Sequence, residues 1–62
     1  MDYIINAGMS TDNLSPILAS LTEEEGIKDA KRLQKFYNYT EVVYMPEDDE
    51  DINEVVWRSW ND

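Results

Sequence analysis

The sequence predicts an α+β fold: a small antiparallel sheet with one helix packed on one face, in the order ββαββ, or βαββ if residues 14–20 are not a strand. Three observations carry this. One stretch, TEEEGIKDAKRLQKFYN, has helical spacing and helix-end signals. Two β-branched and aromatic runs, TEVVYM and NEVVWRSW, follow it and flank an acid-rich turn. The opening DYIINAG reads as a further strand, in a chain whose 62 residues make one domain spanning 1–62.

In chain order, the first strand covers 2–8 and gives way to turn chemistry at STDN. LSPILASL then forms either a second strand over 14–20 or a short helical turn. Pro16 lacks an N–H, which bars it from the middle of a sheet but not from an edge or a strand start. If this segment is a strand, Ile17 and Ala19 share the core face with Tyr3 and Ile5.

The helix spans 23–37. Thr22 and Glu25 form a capping box, and glutamates fill the first turn, where the helix dipole favours them. Ile27, Ala30, Leu33 and Tyr37 recur at spacings of three and four and so share a face. Lys28, Lys31, Arg32 and Lys35 project from the opposite side, and Asn38 stops the helix. Gly26 costs the helix roughly 1 kcal/mol relative to alanine, which close packing against a sheet would explain.

The last two strands, 40–46 and 53–60, make a hairpin around an acidic turn at 47–52. Placing Val43 opposite Val56 sets Glu41 against Arg58, Val42 against Trp57 and Tyr44 against Val55. Opposite charges and aromatic–aliphatic pairs then face each other, as cross-strand neighbours prefer. Val42, Tyr44, Val55 and Trp57 fall on one face, and a slip of one residue would mix the sets.

Composition excludes several chemistries. Cysteine and histidine are absent, so disulfides, thiolate nucleophiles, the usual zinc sites and a histidine general base are ruled out. Gly8 and Gly26 are isolated and make no phosphate-cradling loop. A chain this short hides only about 60% of its unfolded surface, which leaves little room to bury a carboxylate pair and shift its pKa values. The sequence therefore predicts no enzyme, no cofactor and no metal. The segment MDYIINAGMSTDN has neither the basic nor the apolar region of a signal peptide, and no apolar run approaches the ~20 residues of a membrane span. The expectation is a cytoplasmic protein without membrane contact, in which the Asn-x-Ser/Thr triplets at Asn13 and Asn38 are chance matches.

Charge is the main functional signal. Fourteen acids against five bases give a net charge of −9, which repels nucleic acid and anionic membranes and suits basic partners. Glu47, Asp48, Asp49, Glu50, Asp51 and Glu54 fall within ten residues and are candidate partner-binding groups. They read as a mimic of a phosphate backbone, as a solvated tip that keeps the protein soluble, or as a calcium or magnesium site; the loop lacks the ligand alternation and central glycine of an EF-hand. Tyr39 and Trp60, at element ends, are candidate anchors of a second contact. Val43, Met45, Val56 and Trp60 would form an apolar patch on the sheet face away from the helix.

In size and layout the chain resembles small phage-encoded proteins that inhibit host machinery, anti-CRISPR proteins among them. The likeness rests on the opening DYII, on ILASLTEEEGIKDAKRL running from strand into helix, and on the closing hairpin. It implies an inhibitor that occludes a site on a larger complex without catalysis. The expected partner is a protein with a basic surface, reached without direct nucleic-acid contact by a monomer or weak homodimer. The alternative is an accessory domain that binds through its open sheet face or self-associates, with an acidic loop that only solubilises.

Overall fold

A computed structural model describes residues 1–60; the last two residues of the predicted domain lie outside them. Strands β1 (Tyr3–Gly8), β2 (Ser15–Ser20), β3 (Tyr39–Tyr44) and β4 (Glu54–Arg58) form one antiparallel sheet in the order β2-β1-β3-β4. Helix α1 (Glu23–Leu33) lies across β1, β2 and β3. Residues 15–20 are therefore a strand, and the ββαββ order holds. Both β2 and β3 run antiparallel to β1, hence parallel to each other, and such strands need a crossover. The helix supplies it, passing over β1.

Register sorts the residues by face. Tyr3, Ile5 and Ala7 on β1 align with Tyr44, Val42 and Thr40 on β3, and this side meets the helix. Ile5, Val42 and Ala30 form the buried centre, with Tyr3, Ile27, Leu33, Val56 and Trp57 packed around it. Gly26 is buried, and a Cβ there would stand 3.1 Å from Val42 Cγ1. The missing side chain is what lets the helix settle onto the sheet, as the sequence suggested.

Two register expectations fail, each at a bulge. In β4 the pairs Glu41–Arg58 and Val42–Trp57 form as predicted, but Val43 then meets Val55 and Tyr44 meets Glu54. Val56 is the extra residue of a bulge. Strict alternation across EVVW would leave Val56 or Trp57 in water, whereas the bulge turns both toward the core. In β2, Leu18 rather than Ile17 aligns with Ile5, Ser20 aligns with Tyr3, and Ala19 falls opposite Ile4 on the far face. Ile17 is the extra residue of a second bulge, next to Pro16, whose missing N–H cannot serve a ladder.

The helix starts where predicted. Thr22 is extended, and its Oγ1 accepts from the Glu25 N–H at 3.2 Å. It ends at Leu33, four residues before the predicted Tyr37. The N–H groups of Lys35 and Phe36 bond three residues back, to Arg32 and Leu33, tightening the chain so that it can enter β3 at Tyr39. Phe36 is left 72% exposed, so this last turn has no apolar seat to prolong it. Along the helix body, Ser20 Oγ donates to Asp29 at 3.1 Å, and Asp29 also pairs with Arg32, tying β2 to α1.

Two core polar groups give measurable expectations. Thr40 lies on the helix side, fully buried, and its hydroxyl has no hydrogen-bond partner among the described residues. A buried hydroxyl without a partner costs free energy, so Thr40→Val is expected to stabilise the fold by about 1 kcal/mol. A urea midpoint that falls in this variant would show that the hydroxyl is satisfied after all. Tyr3 stacks at 5.1 Å on Tyr44, and burial raises its phenol pKa above the ordinary 10.0, with Glu23, Tyr44 and Asp2 adding in the same direction. The folded state thus holds this proton more tightly than the unfolded chain does. The contribution of Tyr3 to stability is constant below pH 10 and is lost as pH rises through the raised value. Ultraviolet titration should show a late phenol that Tyr3→Phe removes, together with this part of the alkaline loss.

Candidate functional site

The predicted site residues fall into two groups at opposite ends of the β3–β4 hairpin. At the tip, residues 45–53 carry the acids; at the open end stand Tyr39 and Trp60.

The tip is held by the start of the chain. The Met45 N–H donates to the Asp2 carbonyl at 2.7 Å, prolonging the β1–β3 ladder by one residue. The Glu47 N–H donates to Asp2 Oδ1 at 3.2 Å, and the Met1 ammonium pairs with the Glu47 carboxylate. That hydrogen bond raises the ammonium pKa above its ordinary value, against the opposing effect of burial and with Coulombic help from Glu47 and Asp2. Within the loop, Asp49 N–H bonds the Pro46 carbonyl and Ile52 N–H bonds the Asp49 carbonyl, each at 3.3 Å, closing two successive turns. Asp49 Oδ1 accepts the Asp51 N–H at 3.0 Å, a local side-chain turn that aspartate favours. Glu47 and Asp49 therefore also shape the loop. Asp48, Glu50 and Asp51 are exposed upon it, and Glu54 is exposed where β4 begins. No three acids converge to hold a metal ion among the described residues.

At the open end, the Ser59 N–H donates to the Thr40 carbonyl at 2.9 Å, and the Thr40 N–H donates to Ser59 Oγ at 3.0 Å. This continues the β3–β4 register past Arg58 and brings Tyr39 and Trp60 together edge to face, 5.5 Å between centroids. The Arg58 guanidinium sits 5.3 Å over the Trp60 ring, within cation–π range. Its Nε is 3.5 Å from Glu41, and Glu41 accepts from Asn6 Nδ2 at 3.2 Å. A connected row thus crosses the face away from the helix, from Asn6 through Glu41, Arg58 and Trp60 to Tyr39.

The apolar patch predicted for this face does not form as drawn. Val43 is buried between Ile4 and Val55 in the register, and the bulge turns Val56 to the core. Met45 stays exposed, but at the acidic end.

Asp2, Asn6, Glu41 and Arg58 were not singled out as site residues. For Glu41 and Arg58 the predicted pairing was the available signal. Asp2 and Asn6 depend on β1 lying beside β3, which no local pattern encodes. Among the described residues no helix is long and apolar enough to cross a membrane. No family model, no curated protein and no solved structure matches this chain.

Proposed function

We propose that this protein is a non-enzymatic, cytoplasmic binding protein that docks its acidic loop on a basic surface of a nucleic-acid-handling partner. It acts there as an inhibitor or modulator of the phage anti-host type, standing in for nucleic acid rather than binding it. The observation that carries this reading is the anchoring of the loop. Asp2 and Asp49 fix its backbone, so Asp48, Glu50 and Asp51 form an ordered array of exposed carboxylates. An ordered array pays less entropy on docking than a floppy acidic tail and imposes a register on the basic groups it meets.

The test is capture of partners from cells at low and high salt, with competing duplex DNA or RNA. A partner held at low salt, released by salt and displaced by nucleic acid supports the reading. Capture that salt and nucleic acid leave untouched overturns it.

The Tyr39–Trp60 pair with Arg58 favours a second reading, an accessory domain that binds or self-associates through this sheet face. Under that reading Trp60→Ala abolishes capture and salt has little effect.

A further inference from the structure

The acidic loop is not uniformly polar. Met45 and Ile52 are 41% and 39% exposed, and with Pro46 they line a groove of about 470 Å³. Glu47, Asp49 and Glu50 complete its wall. Here the loop is pinned at Met45 and Glu47 to Asp2 and closed by the two turns at Asp49, and that geometry leaves the apolar side chains outward.

We infer that this groove takes one apolar side chain of a protein segment whose neighbouring residues are lysine or arginine. The inference rests on the proposed docking of the loop and deepens it. An apolar floor inside an acidic wall selects this occupant by complementarity. Flanking cations meet Glu47, Asp49 and Glu50, while an aliphatic side chain covers Met45 and Ile52. Methionine adapts its shape and does not demand one particular side chain. A phosphate backbone or an acidic peptide meets the same wall with like charge. A second copy of this chain brings its own net charge of −9. The groove adds to charge steering a contact that salt does not screen.

The probe is a pair of lysine-rich synthetic peptides that differ only in a central leucine or serine. Binding to the full chain is followed by fluorescence anisotropy at low and high salt. The leucine peptide is expected to bind about ten-fold tighter, with the ratio kept at high salt. Joint Met45→Ser and Ile52→Ser substitution, at exposed positions, brings the ratio to one and leaves the serine peptide's affinity unchanged. Shifts of the Met45 methyl resonance in the wild-type protein, seen with the leucine peptide alone, report the same contact without any substitution. Equal, salt-sensitive binding of both peptides overturns the groove and leaves the acidic docking standing. Binding of neither peptide overturns both. Concentration-dependent dimerisation that the double substitution abolishes assigns the groove to a second copy and overturns the inference.

Discussion

Gly8→Ala is expected to lower stability by about 2–3 kcal/mol, the size of a forced overpacking. For a 62-residue chain the whole stability is of order 3–9 kcal/mol, so the loss is a large share. The cause is local and steric. Gly8 ends β1 opposite Tyr39, and the β1–β2 turn folds back over it. A Cβ there would lie 2.3 Å from the Asn13 carbonyl oxygen and 3.2 Å from Leu14 Cα. Both are backbone atoms and cannot rotate away as a side-chain end could. The turn must move, and with it the start of β2 at Ser15. The sign is the informative part, because alanine in place of glycine inside a strand ordinarily gains roughly 0.5–1 kcal/mol. A urea midpoint equal to or above wild type would show that the turn does not press on β1.

Joint replacement of Asp48, Asp49 and Asp51 by asparagine and of Glu50 by glutamine is expected to weaken partner binding about 30-fold at low salt. Exposed ion pairs contribute roughly 0.5 kcal/mol each, so four give roughly 2 kcal/mol. The salt dependence of binding should flatten in step. The fold should survive, because the four side chains are exposed and asparagine at 49 keeps an oxygen for the Asp51 N–H. Net charge moves from −9 to −5, which eases self-repulsion and leaves stability equal or slightly higher. Calorimetric titration of a captured partner against both proteins reads the affinity, and thermal melts read the fold. Unchanged affinity would remove the acidic loop from the interface and leave the Tyr39–Trp60 face as the binding surface.

What the sequence made legible was local. Thr22 and the spacing of Ile27, Ala30 and Leu33 located the helix, because capping and periodicity act within a few residues. Pairing Glu41 with Arg58 and Val42 with Trp57 was readable from charge and size. The bulges were not. They answer a competition for burial between adjacent apolar residues, at Val56 and Trp57, and the backbone limits of Pro16, at Ile17. Either strain is felt only once the sheet exists. The contact of Tyr39 with Trp60 lay within reach. Extending the predicted register by two residues places them opposite, one residue beyond the predicted strand start at 40. The hold of Asp2 on the acidic loop spans 45 residues and follows from β1 lying beside β3. Long-range adjacency of that kind leaves no trace in local pattern.

The two bulges share a position that matters beyond packing. They interrupt β2 and β4, the two outer strands of the sheet. On β2 the regular run is cut to Leu18–Ser20 with Ser15 and Pro16 beyond the break, and on β4 to Glu54 with Val55 and Trp57 with Arg58. A strand arriving from outside needs several evenly spaced N–H and carbonyl groups in a row, and the bulges shorten such rows on both borders. The bulges thus make both borders poorer templates for lengthening by backbone pairing, whether with a peptide, with another copy or with an unfolding neighbour. Under either proposed docking mode, contact would then fall to side chains, on the loop or on the open face.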